Sequence, residues 1–187
     1  MSAPALVRSS DLTTNRTIQI ESPVVDDGVE LWRLAKESKV LDVNSRYAYL
    51  LWCRDFADTT VIARRGGSDD PALGFITGYR RPEVPDTLFV WQVAVDERAR
   101  GEGLAGRMLD TLVEQQEGDV HHLETTITPD NGSSIALFTK FAKRWGAGVD
   151  QKELFDEELL GDDHLPETRF RIGPFRAEVE SRLRSAS

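Results

Sequence analysis

The sequence lacks the features of three large classes of protein. Its single cysteine, Cys53, excludes an intrachain disulfide and is typical of a reducing compartment. Its 23 basic residues are outnumbered by 32 acidic ones, and the formal net charge of −9 argues against nucleic acid as the main partner. No run of residues is long and apolar enough to span a membrane, and the beginning of the chain lacks a basic-then-apolar signal pattern. We therefore expect a cytoplasmic protein with neither a membrane nor a nucleic-acid partner.

Metal ligands are also scarce. The three histidines, His121, His122 and His164, have no further cysteine or histidine at a spacing typical of a metal site, so we expect no metal. The remaining composition, 40% hydrophobic and 29% charged in 187 residues, is typical of one globular domain with a full core. We predict a poorly ordered segment over 1–16, a single domain over 17–175 and a polar tail over 176–187.

One stretch, residues 90–117, combines a strand, a glycine-bearing loop and a helix. β-Branched and aromatic residues over 89–95 predict the strand. The charged residues 96–103, which include two glycines, predict the loop. From Leu104 onward, apolar residues recur at helical spacing. The helix therefore begins directly after the glycines.

The start of that helix suits a phosphate or pyrophosphate. A first helical turn leaves amide N–H groups unpaired, and the macrodipole adds partial positive charge. Gly101 and Gly103 let the backbone approach an anion closely, and Arg98 and Arg100 add positive charge. The loop also satisfies the dinucleotide pattern G-x-G-x-x-G, but it lies past mid-chain with too little sequence after it for a Rossmann domain.

The rest of the chain alternates strands and helices around this stretch. The predicted element order is β-α-α-β-β-β-α-β-α-β-β, with an acidic loop over 149–163. Other predicted strands are 17–21, 59–64, 72–79, 121–128 and 168–173, and other helices lie near 29–35, 46–56 and 135–145.

The loop and the strand before it resemble motif A of the GNAT N-acetyltransferases. The resemblance lies in Arg100-x-x-Gly103-x-Ala105 after a V-A-V-D strand. It implies an α/β (α+β) fold, with a mixed, mostly antiparallel twisted sheet flanked by helices, and acetyl-CoA as cosubstrate. The cofactor-binding residues that we expect are Val93, Val95, Arg98, Arg100, Gly101, Gly103, Leu104, Ala105 and Asn131. Asn131 has the alternative of being only a helix cap.

Three further stretches narrow this resemblance to one family within the superfamily. Residues 41–49, 89–95 and 125–131 resemble the L-2,4-diaminobutyrate acetyltransferases of ectoine biosynthesis, and the similarity runs from about 18 to 175. The resemblance implies acetyl transfer to the 4-amino group of L-2,4-diaminobutyrate, which provides the precursor of the compatible solute ectoine, and it implies a homodimer. The alternatives are another small amine, polyamine, aminoglycoside or protein N-terminus as acceptor, or a non-catalytic acyl-CoA-binding module.

Two positions depart from the common pattern of the superfamily. Many members have a glutamate where this chain has Trp91, and a tyrosine general acid where it has Phe138. The usual base and acid therefore cannot be carried over. Trp91 is expected to form a wall of the substrate pocket, with a plain core aromatic as the alternative.

An alkyl ammonium must lose a proton before it attacks a thioester, and a dicationic substrate needs carboxylates in its pocket. As catalytic groups we expect Glu124, His164 and, through its N–H on the oxyanion, Val93. The substrate-binding candidates are Asp42, Asn44, Tyr47, Trp91, Thr126 and Glu167. Some have simpler alternatives: Asp42 as a helix cap, Tyr47 as a packing residue, Glu124 as a solvent-facing or arginine-paired residue, and His164 as a surface group.

Overall fold

The computed structural model describes residues 17–116, 118–161 and 164–175. The predicted segment 1–16 and tail 176–187 lie outside the described residues. In chain order the elements are β1 Ile18–Glu21, α1 Gly28–Ser38, α2 Arg46–Asp55, β2 Thr60–Arg65, β3 Ala72–Arg81, β4 Val84–Val95, α3 Leu104–Glu114, β5 His122–Ile127, α4 Gly132–Arg144, β6 Gly148–Phe155, α5 Glu157–Leu160 and β7 Glu167–Gly173.

The strands form one seven-stranded sheet in the order β1-β2-β3-β4-β5-β7-β6. Every neighbouring pair is antiparallel except β4 and β5, which run parallel. This arrangement confirms the predicted mixed, mostly antiparallel sheet. The predicted element order agrees with the structure through α4 but lacks the helix α5 between the last two strands. Among the described residues, no helix combines the length and the apolar character needed to cross a bilayer.

The predicted acidic loop over 149–163 is wrong in most of its length. Gly148–Phe155 is a strand that pairs with β7, and Glu157–Leu160 is a short helix. All eight residues of β6 are exposed. Because neither face of this edge strand is buried, its sequence has no alternation of apolar and polar residues, which is the signal that identifies a strand.

Both faces of the sheet are covered by helices. α3 buries the predicted stripe Leu104, Met108, Leu109, Leu112 and Val113 against one face, together with α4. α1 and α2 cover the other face with a separate cluster that includes Leu31, Tyr49 and Cys53. Each fully buried large apolar side chain contributes about 1.5–3 kcal/mol to folding.

A β-bulge interrupts the pairing of β3 with β4. Thr77 lies opposite Gln92 and Gly78 lies opposite Val90, so Trp91 is the extra residue. Before the bulge, Val90 packs on the α3 side, whereas after it Ala94 packs on the α1 side. The bulge therefore reverses which face of the sheet each following residue of β4 occupies.

The parallel strands β4 and β5 separate shortly after they meet. Their pairing consists of Thr87–Phe89 with His122–Glu124, and beyond this β4 pairs only with β3 and β5 only with β7 within the described sheet. Along residues 90–95 of β4, the two strands are consequently no longer paired with each other. This opening, which we call the cleft, faces the loop before α3.

Candidate active site

The edge of β4 that lines the cleft carries free backbone groups. The Gln92 N–H points toward β3, where it donates to Thr77 Oγ1 at 3.2 Å, and the Asp96 N–H donates to the Leu73 carbonyl at 2.8 Å. Because backbone groups alternate along a strand, the N–H groups of Val93 and Val95 point into the cleft. The two valines expected to contact an acyl-CoA arm therefore lie where they can pair with it.

The loop after β4 leads directly into the start of α3. Gly101 and Gly103 have positive φ values of 81° and 71°, and an added Cβ would meet no atom within 4 Å at either position. Gly103 is the N-cap of α3, so the first-turn amides are open to a ligand. Glycine is needed here for conformation and for close approach of an anion.

A groove of about 490 Å³ runs from this loop to α4. Six of the predicted cofactor residues line it: Val95, Arg100, Gly101, Gly103, Leu104 and Ala105. Lys140 and Arg144 line it from α4, and Arg144 also binds Asp110 at 2.9 Å. These positive groups beside a helix N-terminus favour a diphosphate.

Sequence reasoning did not single out Lys140 and Arg144. Ala136, Lys140 and Arg144 all line the groove and recur every four residues, so they share one face of α4. This spacing is the signal that could have found them, once α4 was known to lie beside the loop.

Two predicted cofactor residues have other contacts. Arg98 does not line this groove: its guanidinium donates to both carboxylate oxygens of Asp96, at 2.8 and 2.7 Å. These bonds hold the pKa of the Asp96 carboxyl well below its usual range. Asn131 caps α4, since its Oδ1 accepts from the Ser134 N–H at 3.1 Å. The structure thus shows for Asn131 the cap that was its alternative.

On the α1 and α2 side of the cleft, Trp91 belongs to an aromatic cluster. Its ring lies 4.6 Å from that of Trp52, and 40% of its surface remains exposed. Phe56, Tyr79 and Phe89 continue the cluster. With 40% of its surface exposed, Trp91 is not a plain core aromatic, and its role as a pocket wall stays a prediction.

Glu124 lies at the point where β4 and β5 separate, because it pairs with Phe89 in the last register position that the two strands share. The Glu124 side chain is buried, with 3% of the residue exposed, and Arg81 Nη1 lies 3.4 Å from its Oε2. The arginine-paired alternative is therefore present. Burial of the carboxylate at this position is tolerated because of that cation.

Glu167 lies close to other residues that are predicted to bind the acceptor. Burial raises the pKa of its carboxyl, the Thr126 hydroxyl opposes that rise, the negative charge of Asp42 adds to it, and His164 opposes it. Glu167 Oε2 is buried without a hydrogen-bond partner among the described protein atoms. Three other predicted residues, Asp42, Thr126 and His164, are thus close enough to act on the Glu167 carboxyl group.

The loop over 39–45 carries the remaining candidates. Ser45, not Asp42, caps α2, since Ser45 Oγ accepts from the Ala48 N–H at 3.3 Å. The Asp42 side chain is exposed and Asn44 is half-buried, whereas Tyr47 is 68% exposed on the first turn of α2. Capping α2 is therefore not what Asp42 does.

Nothing in the described part of the chain groups three or more metal-ligating side chains at one point. Cys53 lies on the buried face of α2, and burial raises the pKa of its thiol to about 12, so it is an inert apolar residue of the core.

The comparison with known families agrees with this geometry. The model of the acetyltransferase (GNAT) family matches residues 26–142, and the chain belongs to that family. Its relatives include the L-2,4-diaminobutyric acid acetyltransferase of Streptomyces avermitilis, 54% identical over 160 residues that cover 84% of this chain and 88% of the relative. The protein of the same name from Streptomyces anulatus is 50% identical, over 84% of this chain and 90% of its own length.

A solved structure points to the same family. The diaminobutyrate acetyltransferase of Paenibacillus lautus, in complex with its substrate L-2,4-diaminobutyric acid and coenzyme A, superposes with a TM-score of 0.80. It is 35% identical and covers 87% of this chain and 98% of its own.

Proposed function

We propose that the chain transfers the acetyl group of acetyl-CoA to the 4-amino group of L-2,4-diaminobutyrate. The product is 4-N-acetyl-L-2,4-diaminobutyrate, which serves ectoine biosynthesis and thereby osmoprotection. The observation that carries the proposal is the closeness of two carboxylates, those of Asp42 and Glu167, which we take as the acceptor site beside the cleft lined by the N–H groups of Val93 and Val95. The named relatives and the structural neighbour support this acceptor.

The proposed division of labour follows from the charges. Acetyl-CoA lies with its diphosphate at Gly101, Gly103 and Arg100 and its pantetheine arm along β4. The substrate's 2-ammonium group binds at the carboxylates, since a dication in a partly buried pocket needs opposite charge. Its other amine then faces the thioester in the cleft. The Val93 N–H stabilises the oxyanion that forms when the amine attacks.

Two groups on the acceptor side can accept the proton of the attacking ammonium, namely Glu124 and His164. Glu124 is buried at the point where β4 and β5 separate, and its carboxylate is paired with Arg81. His164 is exposed and close enough to Glu167 to affect its pKa. If His164→Ala lowers kcat and alters the acidic limb of the profile of kcat against pH, while Glu124→Gln does not, the general base is His164. The opposite result identifies Glu124 as the general base.

The acceptor is tested by thiol release from acetyl-CoA with L-2,4-diaminobutyrate, ornithine, lysine and spermidine, with the acetylated nitrogen identified by NMR. We expect release with diaminobutyrate alone, at its 4-nitrogen. Release with a different amine contradicts the acceptor while keeping the reaction class. Binding of CoA without turnover on any amine contradicts the proposal that the protein is an acetyltransferase.

We further propose that the protein acts in the cytoplasm as a homodimer. The unpaired cysteine supports a reducing compartment. Support for a second copy comes from the edge strand β6, since all eight of its residues are exposed, Val149, Leu154 and Phe155 among them. Such an edge leaves backbone groups and apolar surface for a partner. Light scattering of the purified protein gives the mass, and a monomer at micromolar concentration contradicts the dimer.

A further inference from the structure

A buried amide lies beneath the acceptor pocket and is not explained by the chemistry above. Gln92 is 4% exposed and contacts three separate elements. Its Oε1 accepts from the Tyr49 hydroxyl of α2 at 3.1 Å, and its Nε2 donates to the Asp42 carbonyl at 3.0 Å. Its backbone N–H donates to the Thr77 hydroxyl of β3.

The orientation of this amide is fixed by the Asp42 carbonyl, because a carbonyl can only accept whereas the Tyr49 hydroxyl can donate or accept. The amide NH₂ therefore faces the Asp42 carbonyl, and the hydroxyl of Tyr49, which is 1% exposed, donates its one proton to Gln92 Oε1. A buried polar group that loses such a partner costs about 1–3 kcal/mol, so the chain of bonds has one favourable arrangement.

The bulge explains how Gln92 reaches this position. Without the bulge, strand alternation would place the Gln92 side chain on the same face as that of Val90, toward α3. With it, Trp91 faces the pocket and Gln92 lies under the loop that follows α1. One backbone irregularity thus produces both the pocket wall and the support of the loop.

The loop over 39–44 has few other anchors. The other side-chain bonds that the structure shows to its backbone are local: the N–H groups of Val40 and Leu41 donate to Ser38 Oγ. Leu41 packs against the cluster beneath α1. The bond from Gln92 is thus the polar link, among the described residues, between this loop and the central sheet.

We propose that Gln92 is a positioning residue for acceptor binding. It holds the Asp42 backbone, and with it the Asp42 carboxylate, beside Glu167. The affinity for the acceptor amine therefore depends on an amide that never touches it. This inference rests on the proposed function, because it takes the site of Asp42 and Glu167 as the acceptor site.

The test uses Gln92→Met, which keeps the volume of the side chain and removes both of its polar contacts. We expect the KM for diaminobutyrate to rise about tenfold and the KM for acetyl-CoA to stay within about twofold. The matched control is Gln116→Met. Gln116 is 3% exposed, and its Nε2 likewise donates to a loop carbonyl, that of Asp58, on another part of the molecule. Gln116→Met should lower the Tm without changing either KM.

The double variant Tyr49→Phe/Gln92→Met separates positioning from stability. It removes the hydroxyl that Gln92→Met leaves unpaired, so the Tm should recover, because removing both partners is nearly neutral. The KM for diaminobutyrate should stay raised, because the Asp42 carbonyl is still unheld. A KM that returns to the wild-type value in the double variant, or an equal rise in Gln116→Met, overturns the inference.

Asp42→Asn distinguishes failure of this inference from failure of the proposed site. A raised KM for diaminobutyrate in Asp42→Asn with a normal KM in Gln92→Met overturns the positioning role alone. Normal values in both variants overturn the acceptor site, and the inference falls with it. Raised values in both, with acetyl-CoA unaffected, are the expected result.

Discussion

The indole of Trp91 stacks on that of Trp52, with ring centroids 4.6 Å apart and planes inclined by 36°. Trp91 lies in the bulge of β4 and Trp52 lies on α2. The contact therefore joins β4 to the helix that follows the loop over 39–45. Phe56 packs on Trp52 as well, at 4.8 Å. Such aromatic pairs contribute about 0.5–1.5 kcal/mol beyond the area they bury.

Replacing Trp91 by alanine should impair the use of the acceptor amine more than it lowers the stability of the fold. We expect kcat/KM for diaminobutyrate to fall at least about tenfold, because the pocket loses its wall. The matched control is Phe56→Ala, since Phe56 is 39% exposed against 40% for Trp91 and contacts the same Trp52. Steady-state kinetics and thermal unfolding of both variants check this. Equal losses of kcat/KM in the two variants would show that Trp91 acts only through packing.

Replacing Gly103 by valine should raise the KM for acetyl-CoA strongly, at least about tenfold. The φ of 71° disfavours a β-branched residue, and the side chain would take the space that a diphosphate needs. Gly118→Val is the matched control: its φ is 84°, its Cβ would also meet nothing within 4 Å, and it lies away from the groove. Both variants should lose stability to backbone strain, of about 1–2 kcal/mol. If Gly118→Val weakens acetyl-CoA binding as much, strain alone accounts for the effect.

Removing Arg100 should weaken acetyl-CoA binding more than removing Arg98. Arg100 lines the diphosphate groove, whereas Arg98 is held by Asp96 at 2.7 Å and lies outside that groove. We expect a several-fold rise in the KM for acetyl-CoA in Arg100→Ala that diminishes with added salt, and less than a twofold rise in Arg98→Ala. Titration of each variant with acetyl-CoA at two salt concentrations measures this. A larger rise in the KM for acetyl-CoA in Arg98→Ala than in Arg100→Ala would mean that Arg98 does bind the diphosphate.

The raised pKa of Glu167 should limit activity at acidic pH. Only the ionised carboxylate attracts an ammonium group, so the KM for diaminobutyrate should begin to rise, as pH falls, at a higher pH than an ordinary glutamate would give. Glu167→Gln should remove this limb and raise the KM at every pH. Profiles of kcat/KM against pH for the two proteins provide the measurement, and parallel acidic limbs would exclude Glu167.

The same pKa shift has the opposite effect on stability. The folded protein binds the Glu167 proton more tightly than the unfolded chain does, because the folded pKa is the higher one. The unfolding free energy therefore falls as pH rises through that pKa. Glu167→Gln should have a higher Tm than the wild type near neutral pH, and this gain should shrink under acidic conditions. A variant that is less stable at neutral pH would mean that the ionised carboxylate is satisfied by groups around it.

The sequence was most informative where one local pattern has one physical meaning. Glycines before an apolar helical stripe predicted the loop and α3. The need of a dicationic substrate for a carboxylate made Asp42, Glu124 and Glu167 candidates, and the structure brings Asp42 close to Glu167. Gln92 escaped notice because its role depends on the bulge at Trp91. The residues around that bulge look like an uninterrupted strand in sequence, so only the pairing with β3 reveals it. Strand β6 was missed because an edge with both faces exposed has no hydrophobic periodicity.

In the described sheet, the central strands β4 and β5 are paired at three positions, Thr87–Phe89 with His122–Glu124. Mechanically the sheet consists of two panels, β1 to β4 and β5 to β7, that diverge from a short hinge. On the proposed placement, the amides of acetyl-CoA take over the role of the missing stretch of ladder. The cosubstrate is then a removable strand of the protein, and the cleft edges should gain protection from hydrogen exchange whenever it is bound.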